Sequence, residues 1–258
     1  MNKKPLTVSA ISLIIFLIAG MILSGCATTQ STKNTMYVVG AYGALTRGVY
    51  DGETTIGELK RHGDSALGTF NGLDGELVGL DGKYYQIGAQ GKVAPANDSM
   101  TTPFTMATFL EADKTISVDK AMDYQQLQQY LDSQLPTRNI FCAMKIVGSF
   151  NYIKARSLTK VNKPYSATPY STINQNEPTY EFRDVNSTMI GFWSPAYAGD
   201  ICHPGYNFHF LTGDKKYGGH LLDCQISNAK IEIGYLTNLF VALPTTSDYY
   251  RVDFGKAE

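Results

Sequence analysis

The stretch Gly205–His220, GYNFHFLTGDKKYGGH, carries two of the chain's four histidines and reads as a strand, a turn and the start of a second strand. Side chains alternate across a strand, so Asn207, His209 and Leu211 share one face, and Tyr206, Phe208 and Phe210 the other. TGDKKYGG supplies the turn. A turn centred between Asp214 and Lys215 sets His209 directly opposite His220. Paired Cβ atoms lie about 4.5–5.5 Å apart, near enough for two imidazoles to hold one metal ion. The same register sets Asn207 opposite Leu222. A third histidine at 207 would complete a catalytic zinc-type site with positions open for substrate. Asparagine offers only a neutral, weaker amide oxygen. The residues leave three readings open: a metal site short of one ligand, a metal site with an unusual one, or a hairpin with two incidental histidines.

Outward from this hairpin the second half of the chain is strand-rich: STMIGFWS, HLLDCQI, KIEIGYL and LFVALP are short apolar runs. IFCAMKIVGSF reads as a buried strand. SVDKAMDYQQLQQYLDSQLP is the clearest helix, with Tyr124, Leu127, Leu131 and Leu135 on one stripe and Pro136 as its stop. TIGELKRHGD reads as a short helix closed by Gly63. In GELVGLDGKYYQIG, Asp81-Gly82 between alternating apolar residues is a two-residue hairpin signal. That turn pairs Leu80 with Lys83 and Val78 with Tyr85, and brings Glu76 near Ile87. Residues 163–178, rich in Pro, Ser, Thr and Asn, form a long connection and the best candidate for a divide between two subdomains. The class is α/β in the mixed α+β sense, with strands dominant.

Charged residues make up 17% of the chain and the net charge is −1, so composition gives no electrostatic case for nucleic acid. The N-terminus differs from the rest. Lys3 and Lys4 precede the apolar run Ile11–Leu23, which is short of the roughly 20 residues a membrane span needs. Leu23-Ser24-Gly25-Cys26 resembles the lipobox of bacterial lipoproteins. The resemblance implies a signal peptide over 1–25, diacylglycerol on the Cys26 sulfur, a tether over 26–35 and a catalytic unit over 36–258. Two acyl chains, at about 0.8 kcal/mol per buried CH₂, anchor stably. An uncleaved anchor helix is the other reading, and both place the folded part outside the cytoplasm. Cys142, Cys202 and Cys224 remain, an odd number that argues for buried thiols over a disulfide framework.

From about Tyr37 onward the chain resembles the α-acetolactate decarboxylase family. The residues that carry the resemblance are GVYDG, LKRHGDSALGTFNGLDGELVGLDGKYYQI, PFTMATF, LPTRNIF, KARS, GFWSPAYAGD and PGYNFHFLTGDKKYGGHLLD, in that order. It implies a two-subdomain, sheet-rich fold and a divalent metal, usually Zn²⁺, used to convert 2-acetolactate to acetoin and CO₂. The family holds its metal with His-x-His on one strand and a third histidine eleven residues on. His209 and His220 match the second and third of these, and Asn207 stands where the first is expected. By the same resemblance Glu76 and Arg156 are active-site residues, Thr69 and Arg156 contact substrate, and Glu258 is the candidate for a further acidic residue of the family's tail. A homodimer is left open.

The chemistry suits these residue types. Loss of CO₂ leaves an electron pair that must enter the neighbouring ketone, and a metal on the hydroxyl and carbonyl oxygens stabilises that charge. The planar fork of Arg156 matches a carboxylate. Glu76 is suited to delivering the proton that completes acetoin. The ketone is itself the electron sink, so no organic cofactor is required. Two rivals stand beside this reading: a binding lipoprotein that kept the fold and lost its metal through Asn207, and a related lyase for another 2-hydroxy-3-keto acid. His203, four residues before Asn207, is the nearest candidate to replace the missing ligand.

Overall fold

The computed structural model describes residues 34–165 and 170–255. Cys26 with the expected signal segment, and Glu258, lie outside the described residues. Before residue 110 the strands are β1 (Thr35–Val39), β2 (Thr54–Thr55), β3 (Ser65–Thr69), β4 (Glu76–Leu80), β5 (Lys83–Ile87), β6 (Val93–Pro95), β7 (Thr101–Thr102) and β8 (Thr105–Thr108). After it come β9 (Lys114–Val118), β10 (Met122–Asp123), β11 (Phe141–Arg156), β12 (Thr179–Ser194), β13 (Gly205–Thr212), β14 (Gly218–Leu236) and β15 (Asn238–Ala242). The helices are short: α1 (Tyr42–Thr46), α2 (Ile56–Leu59), α3 (Tyr124–Gln134), α4 (Tyr170–Gln175) and α5 (Ser247–Tyr250).

Two sheets carry the fold. The first runs β15-β1-β8-β3-β4-β5-β6, and the parallel pairing of β15 on β1 joins the last described strand to the first. The second runs β10-β14-β11-β12-β13, with β9 also on β14. β13 then returns to β14 through three pairs, His209 with His220, Phe210 with Gly219 and Leu211 with Gly218. The path β14-β11-β12-β13 therefore closes on itself at one end. The close approach at this seam requires glycine: a Cβ on Gly218 would stand 2.5 Å from the Phe210 carbonyl oxygen, and one on Gly219 2.5 Å from the Tyr180 hydroxyl.

Local chemistry accounts for the turns and caps. Asp81 and Gly82 both take positive φ (51° and 74°), as a type I′ hairpin requires, and the register is Leu80↔Lys83, Val78↔Tyr85 and Glu76↔Ile87. α3 opens on a capping box between Asp123 and Gln126 and buries Leu127 and Leu131 completely. Each such leucine contributes about 1.5–3 kcal/mol. The helix begins later than its sequence window, because Val118 and Met122 are buried as strand residues against β14.

The two faces of the second sheet serve two cores. Phe208 and Phe210 pack with Leu127, Leu131, Met144 and Ile146 on the α3 side. Leu211, Ile190 and Phe192 pack with Leu67, Val78 and Ile87 of the first sheet. His209, between Phe208 and Phe210, projects from β13 on the side of the first sheet. The described residues of 163–178 lie in the connection between β11 and β12, antiparallel neighbours within the second sheet. The chain passes from the first sheet to the second between β8 and β9 and returns to the first at β15.

Candidate metal centre

Three candidate residues stand in one row across three strands. Arg156 on β11 is the cross-strand partner of His220 on β14, and His220 is the partner of His209 on β13. The predicted face-to-face placement of the two histidines is present, with ring centroids 5.2 Å apart and planes at 77°. Glu76 enters from the other sheet as the first residue of β4, opposite Thr69 on β3. Ligand atoms of Glu76, His209 and His220 all lie within 4.8 Å of one another.

The hydrogen bonds fix which atoms are free. His209 Nδ1 lies 2.9 Å from the Leu77 carbonyl oxygen, which can only accept, so Nδ1 carries the proton and the Nε2 lone pair is left available. Burial pushes His209 down to about 3, so its imidazole is neutral at physiological pH. His220 is lowered well below its usual value, by burial first and then by Arg156. Both rings therefore keep the lone pair that a metal needs.

Glu76 is 3% exposed and Arg156 8%. Arg156 Nη1 donates to Glu76 Oε1 at 2.9 Å, while Glu76 Oε2 stands 3.6 Å from His209 Nε2. Burial pushes the Glu76 carboxyl up to about 7, against the pull of Arg156, with Glu177 adding to the rise. Sequence reasoning missed two supporting residues. Ser157 Oγ accepts from the Glu76 backbone N–H at 3.2 Å and donates to the Ile87 carbonyl at 2.6 Å, so it fixes the start of β4. Its only sequence signal is adjacency to Arg156. The buried Glu177 takes both donors of Thr159, at 2.9 and 2.6 Å, and sits in a stretch with no periodicity to flag it.

The row opens into a small cavity of about 100 Å³. Thr69, Glu76, Arg156, Asn207, His209 and His220 line it, together with Tyr170 and His203. Thr69 Oγ1 donates to the Gly75 carbonyl at 2.7 Å, which holds the hydroxyl at the pocket wall. Burial raises the Tyr170 hydroxyl above its ordinary range and keeps it protonated. Asn207 Oδ1 and His203 Nδ1 are both buried and without a hydrogen-bond partner. One expectation is corrected: Asn207 is not opposite Leu222. The β13–β14 ladder ends at His209 and His220, and β14 passes to β11 with Leu222 bulged between Leu221↔Ala155 and Asp223↔Lys154. His62 takes no part in the site; it bonds Glu58 at 2.9 Å and stacks on Tyr37. Cys142, Cys202 and Cys224 are free and buried.

The family model for alpha-acetolactate decarboxylase matches residues 36–256. The chain belongs to the alpha-acetolactate decarboxylase family. The decarboxylase of Methanosarcina mazei is 37% identical over 228 residues, covering 88% of this chain and 78% of that one. The Brevibacillus brevis decarboxylase is 35% identical over 271 residues, covering 97% and 94%. The crystal structure of alpha-acetolactate decarboxylase from Bacillus subtilis strain 168 superposes with a TM-score of 0.82 at 34% identity, over 85% of this chain and 93% of that one. Membership makes the chain an enzyme of the decarboxylase class with the sheet-rich fold of the family.

Proposed function

We propose that this chain decarboxylates 2-acetolactate to acetoin and CO₂ at a divalent metal, zinc by the chemistry of its donors, held by His209 and His220. The observation that carries this reading is the cluster itself: two neutral imidazoles and a carboxylate within 4.8 Å, at the wall of a pocket also lined by Thr69 and Arg156. The donor set fits the ion. His209 is locked in the tautomer that frees Nε2, and the buried Asn207 Oδ1 has a lone pair and no partner. When bound, the ion supplies a Lewis acid that stabilises negative charge on substrate oxygens as CO₂ leaves.

The side chains of this chain do the rest. Arg156 presents a guanidinium fork at the pocket wall, suited to orienting the substrate carboxylate. Glu76, with its carboxyl near 7, holds or gives up a proton at neutral pH, and Oε2 is the oxygen turned away from Arg156. The proton goes to the carbon that loses CO₂. Thr69 and Tyr170 bound the substrate's remaining side. The retained buried pair Glu76–Arg156 favours this reading over a binding protein that has lost its chemistry.

The N-terminal residues support an extracytoplasmic, membrane-anchored enzyme, lipidated at Cys26 and joined to the catalytic unit by residues 26–35. Metal analysis of the purified chain, with an acetoin assay on racemic 2-acetolactate, tests the proposal. Absence of bound metal, and of acetoin with zinc or manganese supplied, would sink it.

A further inference from the structure

The row of site residues is one nitrogen short of three imidazoles, because position 207 is asparagine. We propose that His203 supplies the third imidazole to the metal, from the loop that leads into β13. The inference rests on the metal reading above and names a residue outside the His209, His220 and Asn207 set.

Three observations support it. His203 lines the same pocket as His209, His220 and Asn207. Its Nδ1 is buried without a hydrogen-bond partner. Leaving such an atom unpaired costs about 1–3 kcal/mol, so the ring nitrogen has an interaction still to make. The ring also makes an edge-on contact with Tyr42 at 5.1 Å between centroids. Its nitrogens lie outside the 4.8 Å cluster of Glu76, His209 and His220. Reaching the ligand position therefore requires the side chain to turn about its own bonds. His203 is followed by Pro204 and by Gly205 at φ +91°, where β13 begins.

The charged and titratable groups nearest the ring agree with a neutral ligand. Burial lowers His203 below its usual value, opposed in part by the backbone at Pro204 and His203 and helped by the Arg156 guanidinium. His203 in turn helps to depress His220. The third donor at this site thus arrives from four residues upstream of the place the family uses. Asn207 is then left to offer a weak amide oxygen, or to receive the proton-bearing nitrogen of the relocated ring.

The test uses the purified full chain loaded with Zn²⁺. X-ray absorption counts the imidazoles on the metal, and chelator competition gives the affinity. The expected result is three imidazoles in the parent chain and two in His203→Ala and His203→Gln, with affinity at least ~10-fold weaker. Adding Asn207→His to either variant should restore three imidazoles and the lost affinity. His203→Gln keeps a polar side chain in the pocket, and its circular dichroism and melting curve separate ligand loss from misfolding. Two imidazoles in the parent chain, with affinity unchanged by His203→Gln, would overturn the assignment while leaving the metal reading intact. A parent chain that takes up no zinc would overturn the metal reading itself.

Discussion

Arg156 Nη1 and Glu76 Oε1 meet at 2.9 Å and join the last residue of β11 to the first residue of β4, one sheet to the other. Both side chains are nearly buried, so neither charge is fully solvated. Breaking a buried pair from one side leaves an uncompensated charge and typically costs about 3–5 kcal/mol. Arg156→Ala is expected to lose stability on that scale in urea denaturation. Glu76→Gln, which keeps a hydrogen-bonding oxygen, is expected to lose less. Equal losses would show that the charge at 76 is not what the arginine compensates.

The same carboxyl sets a pH dependence. Its folded value, about 7, lies above the ordinary 4.5, so the native state holds this proton more tightly than the unfolded chain does. The stabilisation is complete below the ordinary value and is lost as pH rises from about 4.5 to about 7. In metal-free protein the change is a few kcal/mol, at about 1.4 kcal/mol per unit. Glu76→Gln should flatten this part of the stability profile, measured by urea midpoints across that range.

Removing either histidine should cost the ion. His209→Ala and His220→Ala are each expected to reduce zinc content to trace levels by elemental analysis and to lower kcat by at least ~100-fold. Chelator treatment of the parent chain should do the same reversibly, with zinc restoring acetoin formation. Full activity in chelated protein would show that the cluster is not catalytic.

The buried thiols give a prediction free of the site. Burial pushes Cys142, Cys202 and Cys224 up to about 12. A thiol-specific chromogenic reagent at pH 8 should find none of the three in the native chain and all of them in denaturant. A rapid native reaction at any of these positions would contradict the packing described.

The helix cap offers a purely structural check. Asp123→Ala removes the side chain that accepts from the Gln126 backbone N–H at 2.8 Å. The expected cost is about 1 kcal/mol in urea denaturation, with metal content and activity unchanged.

Much of the site was legible because its chemistry is local. The Asp81-Gly82 turn dictated the register that brings Glu76 opposite Ile87, and TGDKKYGG dictated the pairing of His209 with His220. The row through Arg156 was not legible, because it depends on β11 pairing with a strand some sixty residues away. The parallel pairing of β1 with β15 is hidden for the same reason. HLLDCQI and KIEIGYL read as two strands, since Ser227-Asn228 breaks the apolar pattern; β14 runs through them, opposite a register shift at Ser149 and Phe150. Local propensity sees turns and faces, and loses the trail where distant strands choose partners.

The three-pair seam between β13 and β14 has a mechanical consequence. It is the shortest ladder in the closed circuit of the second sheet, and its last rung is the histidine pair. An ion gripped by both rings would act as a rivet through that rung, so catalyst and fastener would be one object. A polypeptide that lost its ion would keep this seam by its three pairs alone.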